Sequence, residues 1–502
     1  MSEVESFLDQ EENLPIEGSP SEPEAAPEAA LAPEEEKKEL AVVKELAAKV
    51  KEQGGRALII GGYARDEVMR RAGQTVESKD IDLEVYNLDP DKTATILEEF
   101  KDFAPPNLVG KSFGVIKLGP IDISFPRRES KIGSGHKGFE ITVDPTLSVA
   151  EATRRRDLTI NSIALDPLTN EIVDPHGGVE DLKNKFLRAV DPATFGEDPL
   201  RVLRLAQFAG RFGFSVEEKT KEIAKGLPLS ELPAARIGEE WRKLLLKSEK
   251  PSVGLEVARD LGVLEKLHPE LEALVGLEQE PSWHPEGDVW THTLQTVDVA
   301  AEIVRRENLE GDDALVVLTA TLLHDLGKPL TTEVRGVRGK QRLTSYGHAE
   351  AGVEPARRFL AKMEFGDGVN RQIYPLIRAH LYLTSAEELT DSGVRKLSAR
   401  LKPATIEQLA WVVEADQRGR GGLARDLDRL MELTRMARVL DVAEKPVESI
   451  IRGRDLIALG LEPGRAFGEI IRGCQEAYLS GEIKTKEEAI EMAKKTVPKK
   501  KV

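Results

Sequence analysis

The sequence is short of several things, and each shortage excludes something. It holds one cysteine, Cys474, in 502 residues, so no disulfide can form within a chain. A reducing compartment, the cytoplasm, is the expectation. Aromatic residues make up only 5%, against 32% charged, a balance that fits a soluble, helix-rich protein. No run approaches the roughly 20 apolar residues of a bilayer-crossing helix, so no membrane partner is expected. The acidic, proline-rich N-terminus lacks the basic-then-apolar order of a secretory leader. No repeat of fixed period is present. A basic excess is missing too: the net charge is −17, which on its face disfavours a nucleic-acid partner. That deficit is local. Residues 1–40 carry thirteen acidic and two basic side chains, a net of −11, and the body is close enough to neutral to allow a basic groove for RNA.

The length suggests about three domains. Residues 1–40 repeat Pro, Ala and Glu (SPSEPEAAPEAALAPEEE) and have too little apolar surface to offset ordering entropy, so they are expected to be disordered. A helix over Lys38–Gln53 and a strand over Ala57–Ile60 should follow. Short strands, glycine turns and helices alternate to about residue 190. Beyond 195, apolar residues recur at helical spacing, as in Leu200, Leu203, Phe208 and in Leu318, Leu322, Leu323. The basic end, Lys494 to Lys501, reads as a solvated tail.

The first chemical centre begins at IIGGYARDEV. A strand, Gly61-Gly62 and a helix starting near Ala64 would let backbone approach a phosphate and turn free N–H groups toward it, with Arg65 facing the same ligand. Many strand-turn-helix units carry a Gly-Gly, so this alone decides little. KDIDLEVY follows. Asp80 and Asp82, two apart on a strand, point the same way, with Ile81, Leu83 and Val85 on the other face. Such a carboxylate pair can hold two Mg²⁺ ions for attack by a 3′-hydroxyl on a phosphate. A charged strand face is common, but a phosphate cradle just upstream is not. Asp122, in PIDISF, offers a third carboxylate on another alternating strand.

Taken in order, GGYARD, DID, RRESKIGSGHKGF, RRRDLTINSIA and GEDPLRVLRLAQFAGRFGF resemble the class II tRNA nucleotidyltransferase and poly(A) polymerase superfamily, over about residues 57–245. The resemblance implies an α+β head with a polymerase-β-like palm on a small mixed sheet, followed by an all-α neck, body and tail. It implies that Gly61, Gly62 and Arg65 serve the nucleotide phosphates, that Asp80 and Asp82 hold Mg²⁺, and that Asp122 is the third catalytic carboxylate. Arg156 would contact the nucleotide, and Asp157 and Asn161 would shape the sugar side. Glu197, Asp198 and Arg201 match EDxxR, whose Asp and Arg act as a template for the incoming base. A carboxylate acceptor and a guanidinium donor a turn apart on a helix can satisfy the edge of cytosine or adenine. Arg204 would reach the phosphates or base. Gln207 departs from the family, which has arginine there, and leaves the choice between CTP and ATP open. The Gly- and Ser-rich stretch Glu129–Lys137 corresponds to a mobile loop used when the site switches from CTP to ATP.

The second centre is a concentration of histidine. Five of the eight histidines lie between 284 and 380: His284, His292, His324, His348 and His380. His324 and Asp325 are adjacent in TLLHDLGKP, and Asp416 sits in VVEADQRGRGG. A lone histidine on an apolar helix is usually a core residue, but five in this span, one beside an aspartate, argue for a metal. The order resembles the HD phosphohydrolase superfamily, which implies that His292, His324, Asp325 and Asp416 ligate a divalent transition metal. Imidazole and carboxylate together suit Ni²⁺, Mn²⁺, Fe²⁺ or Zn²⁺. His348 and His380 stand where two-metal members place further ligands. Poly(A) polymerases of this superfamily usually lack an intact HD domain, so the joint pattern is similar to the bacterial multifunctional CCA protein family. That implies a tRNA 3′ end, CTP and ATP as partners, no DNA, and phosphatase and 2′,3′-cyclic phosphodiesterase activity for end repair. The alternatives are a poly(A) polymerase, or an HD hydrolase with a vestigial RNA-binding head. The expected organisation is a disordered 1–40, a head over 41–185, a neck over 186–282, an HD body over 283–425 and a helical tail over 426–502.

Overall fold

The computed structural model describes residues 34–496 apart from 77, 79, 110–114, 132–138, 338, 386–387 and 422–426. The first helix runs Glu34–Glu52, so residues 34–40 of the segment expected to be disordered are helical, and the rest of that segment lies outside the described residues. The helix seats Val43, Leu46 and Val50, all at 0% exposure, against the head sheet.

Among the described residues, nine strands build the head: β1 (Arg56–Ile60), β2 (Ile81–Tyr86), β3 (Pro106–Val109), β4 (Val115–Leu118), β5 (Ile121–Ser124), β6 (Arg127–Lys131), β7 (Phe139–Val143), β8 (Ala164–Leu165) and β9 (Ile172–Val173). Seven form one mixed sheet in the order β3-β4-β5-β2-β1-β8-β9. Only β2 and β5 are parallel within it; their register sets Asp82 beside Asp122. β6 and β7 pair separately; Glu129–Lys131 of the expected Gly/Ser-rich loop belong to β6, and the rest of that loop lies outside the described residues. Period-two alternation does the sorting. Ile81, Leu83, Val85, Ile121 and Ile123 are buried on one face, which leaves Asp82 and Asp122 on the other.

From residue 200 the chain is mostly helical. The neck helix Leu200–Phe212 buries Leu200, Leu203 and Phe208 as its spacing requires, and packs on helices Ala234–Lys247 and Pro251–Asp260. The HD body is built on Val289–Arg306, Gly311–Leu323 (buried throughout from Ala314), Asp367–Ala379 and Ile406–Arg418. The all-helical expectation needs two corrections. In the neck, Phe186–Leu187 pairs in parallel with Ser215–Val216, strands too short to show a period in the sequence. An antiparallel hairpin, Glu333–Val337 against Lys340–Thr344, projects from the body, and its charged, solvent-facing residues give no buried alternation to read. One apolar core runs without a break from the head through the neck into the body. Helix Leu427–Val439 still belongs to it through Leu430, Leu433 and Ala437, so the expected start of the tail at 426 falls too early. A separate small core of Ile451, Leu456, Ile470, Cys474, Ala489 and Ala493 begins beyond it.

Candidate functional site

In the head, the turn between β1 and helix Gly62–Arg71 meets the carboxylates. Gly61 has φ 73°, and a Cβ there would lie 2.8 Å from Arg156 Nη1 and 3.7 Å from Asp82 Oδ2. The positive φ favours glycine, while the close contact falls on the movable end of the Arg156 side chain. Asp82 pairs in register with Ile60, the residue just before this turn. Asp80 sits one residue before β2 rather than on it, which corrects the expected strand placement. Although Asp82 is open to solvent by area, it lies in a crevice. Burial there pushes its carboxyl up, and Asp122, Asp80 and Glu84 add to this against the opposing pull of Arg156. Asp122 meets Lys117 at 3.0 Å. Glu84, unremarked in the sequence, is 1% exposed and accepts from the Tyr86 hydroxyl at 2.5 Å and from Arg155 at 3.3 Å.

Arg65 does not face a ligand. It is 3% exposed, donates to Asp66 Oδ1 at 2.8 Å and Asn161 Oδ1 at 2.8 Å, and packs against the neck rings Phe208 and Phe212 at 5.7 and 4.8 Å. Asn161 in turn donates to Asp157 Oδ1 at 3.1 Å, and Asp157 accepts from Arg204 Nε at 2.6 Å. A buried polar chain therefore joins head to neck. Burial opposes ionisation of Asp157, yet the Arg204 guanidinium and hydrogen bonds from Asn161, Arg204 and the Leu158 N–H outweigh it, holding its pKa down at about 2. Arg156 donates to the Asn161 carbonyl at 3.0 Å.

The EDxxR segment is arranged differently from expectation. Glu197 ends a short 3₁₀ turn and Asp198 is extended (φ −121°, ψ 99°), so Asp198 precedes the neck helix instead of sharing its face with Arg201. Asp198 accepts from the Leu200 N–H and pairs with Arg236 at 2.8 Å. Arg201 donates to the carbonyls of Thr194 at 3.0 Å and Arg155 at 2.6 Å. Gln207 is 2% exposed with its Nε2 unpartnered, so it lies in the neck interior and not on a wall open to nucleotide.

In the body, His292, His324, Asp325, His348, His380 and Asp416 converge, each at most 7% exposed. Asp325 is central: its Oδ2 lies 3.2 Å from His324 Nε2 and 3.7 Å from His292 Nε2, while its Oδ1 lies 3.3 Å from His348 Nε2. His292 Nε2 is 3.1 Å from Asp416 Oδ1, and His348 and His380 meet Nε2 to Nε2 at 3.1 Å. The Nδ1 atoms of His324, His348 and His380 each face a backbone carbonyl, of Thr321, Ser345 and Ile377, at 2.6–2.7 Å. A carbonyl only accepts, so Nδ1 carries the proton and the Nε2 lone pairs point inward. Partners of this kind orient metal-ligating histidines. His324 Nε2 is buried without a hydrogen-bond partner and turns its lone pair toward Asp325 Oδ2, an arrangement that suits a cation. Burial, with His348 and His324 nearby, pushes His380 down to about 3, so it is a neutral donor at working pH. Three residues escaped sequence reading. Glu286 Oε1 is 2.8 Å from both His284 Nδ1 and His292 Nδ1, Lys328 Nζ is 2.7 Å from Asp325, and Arg420 pairs with Asp416. All three lie within a few residues of the histidines and Asp416, in WHPEGDVW, LLHDLGKP and EADQRGRGG, which was the available signal. Among the described residues, the groups of three or more ligand atoms within 4.8 Å of one another are all in this half.

The histidine cluster opens into a cavity of about 510 Å³. Another, of about 590 Å³, lies between the neck and helix Val289–Arg306, away from both sets of chemical groups.

A glycine turn beside strand carboxylates, ahead of a buried His/Asp cluster, defines a nucleotidyltransferase head joined to a metal-dependent hydrolase body. Residues 57–188 match the Poly A polymerase head domain, 213–274 a family described as probable RNA and SrmB-binding site of polymerase A, and 289–445 the HD domain. The chain is 34% identical to the multifunctional CCA protein of Stenotrophomonas maltophilia over 72% of this chain and 86% of that one. It is 36% identical to the one from Pasteurella multocida over 72% and 84%. The fold is that of the Bacillus stearothermophilus CCA-adding enzyme in complex with CTP (TM-score 0.58, 20% identity, 91% of this chain and 97% of that one). A CCA-adding enzyme with ATP also shares it (TM-score 0.55, 19%, 92% and 96%). The chain belongs to the multifunctional CCA protein family. No described helix is long and apolar enough to cross a membrane.

Proposed function

We propose that the head adds C, C and A to the 3′ end of tRNA from CTP and ATP, and that the HD body hydrolyses phosphate esters at damaged 3′ ends. The observation that carries the first part is the register that sets Asp82 beside Asp122, at the mouth of the Gly61 turn. Hard carboxylate oxygens suit Mg²⁺, and their mutual repulsion, felt at Asp82, fits a site that takes cations. Mg²⁺ held by Asp80 and Asp82 would supply charge neutralisation at the attacked phosphate. The tRNA 3′-oxygen forms a bond to the α-phosphorus, the bond to the α–β bridging oxygen breaks, pyrophosphate leaves, and the hydroxyl proton passes to solvent. The chain's own part is positioning. The free N–H groups at the start of helix Gly62–Arg71 receive phosphate oxygens, Arg156 holds the crevice between turn and carboxylates, and Arg65, Asn161, Asp157 and Arg204 fix the head against the neck. Asp198 reads the base edge from the pose that Arg236 sets.

In the body, Asp325 presents one oxygen to His292 and His324 and the other to His348, with His380 beyond. His292, His324, Asp325 and Asp416 would hold a divalent transition metal, and His348 and His380 with Asp325 would offer ligands to a second. Metal there would supply an activated water. Lys328 and Arg420, on the cavity wall, are placed to receive phosphate oxygens.

The deciding experiment supplies CTP and ATP, singly and together under Mg²⁺, to tRNAs ending before CCA, after C and after CC. Ordered addition that stops at CCA is expected. Long A tails would establish a poly(A) polymerase, and no incorporation would leave the HD body as the working enzyme.

A further inference from the structure

The mouth of the HD cavity carries two aromatic rings that the chemistry above does not use. Trp283 immediately precedes His284, and Tyr346 lies two residues before His348; both line the cavity. They are 36% and 61% exposed, unusual for such large side chains. Each ring carries a guanidinium. Arg342 lies over Trp283 at 5.6 Å and Arg335 over Tyr346 at 5.5 Å. Both arginines come from the hairpin Glu333–Val337/Lys340–Thr344, which is mostly exposed apart from Leu343 and Thr344 at the cavity wall. The arginines are held in place, Arg342 by donating to Ser282 Oγ at 3.1 Å and Arg335 to Glu333 at 2.6 Å. Aromatic faces braced by guanidinium planes beside cationic groups are how proteins hold unpaired nucleobases, since every base offers a π-face.

We propose that Trp283 and Tyr346 form a base-stacking clamp that makes the HD site select a nucleotide-terminated ester, such as an unpaired RNA 3′ end, over a small phosphate monoester. Because each ring is tied by one or two residues to a histidine of the cluster, a base held there delivers its ribose phosphate toward Lys328, Arg420 and the His/Asp groups. A ringless ester gains nothing from the clamp. The inference rests on the body being a phosphohydrolase.

The test compares adenosine 2′-phosphate with β-glycerophosphate, which has no ring, using full-length protein loaded with Ni²⁺ or Mn²⁺. For Trp283→Ala and Tyr346→Ala, the ratio of kcat/KM for the nucleotide to that for glycerophosphate should fall about tenfold, mainly through KM, as expected for one lost stacking contact. Trp283→Phe and Tyr346→Phe should restore most of it. A titration of metal-free protein with adenosine 2′-phosphate gives a reading independent of turnover: the quench seen in wild type should be missing in Trp283→Phe. Equal losses on both esters, or an unchanged ratio, would overturn the clamp. No hydrolysis of either ester by wild type with any of the four metals would overturn the phosphohydrolase reading, and the clamp with it.

Discussion

Replacing Asp157 by Asn tests whether the buried polar chain clamps the head to the neck. The substitution keeps size and an acceptor for the Leu158 N–H, but removes the charge that faces Arg204 at 2.6 Å. Asp157 is 9% exposed and its pKa is held at about 2, against a usual 3.8. At about 1.4 kcal/mol per unit, the charged interactions contribute about 2 kcal/mol. The sign follows from the depressed pKa. The stabilisation is complete above the unfolded value, nearly whole at pH 5, and about half lost by pH 3 as the unfolded state takes up protons first. Amide exchange at residues 157–161 and 200–208 reads opening of this seam directly. At pH 7 these amides should exchange about 30-fold faster in Asp157→Asn, and the gap to wild type should narrow as pH falls toward 3. Exchange within threefold of wild type at pH 7 would refute the reasoning.

Asp82→Ala should reduce nucleotide incorporation at least about a thousandfold in single-turnover assays with the fold intact by circular dichroism, because it removes a carboxylate at the reacting phosphate. His268 is 0% exposed, caged by Trp241 and Phe359 at 5.0 and 4.8 Å, and burial with nearby Lys362 pushes it down to about 3. It stays neutral when folded but takes a proton near pH 6.5 when unfolded, so its contribution to stability is full above that pH and falls below it; the loss of unfolding free energy in urea between pH 8 and pH 5 should be about 2 kcal/mol smaller in His268→Phe than in wild type. At Gly238 a Cβ would lie 1.6 Å from the Met363 carbonyl oxygen, so Gly238→Ala should lower the melting temperature by several degrees and loosen the neck from the body, read as faster exchange in 359–365.

What was legible in the sequence was local. The Gly61 turn and the alternation around Asp82 and Asp122 depend on neighbours within a few residues, and a crowd of histidines beside an aspartate announces itself wherever the helices run. What was missed depends on partners brought from far away. Arg65 looked like a phosphate ligand because the rings that cover it, Phe208 and Phe212, arrive from the neck. Asp198 and Arg201 looked like a pair because helical spacing was assumed through Pro199, whereas the helix starts at Leu200 and Asp198 takes Arg236 from another helix. Gln207 looked like a lost ligand, yet it faces the interior. The hairpin of the HD body has a turn signal at Gly339, but its strands are exposed and carry no apolar period.

The cage around His268 has a bearing on how this chain can be divided. Trp241 and His268 belong to the neck, while Phe359, which closes over both, belongs to the HD body, and Gly238 admits the Met363 backbone at the same seam. A cut at residue 282, the border suggested by the sequence, would leave an indole and an imidazole bare to water. Changing one histidine of the cluster leaves this seam untouched, whereas removing the helices of the body uncovers it. In such an architecture the second chemistry is erasable but its scaffold is not, and descent by point change is open where descent by truncation is closed.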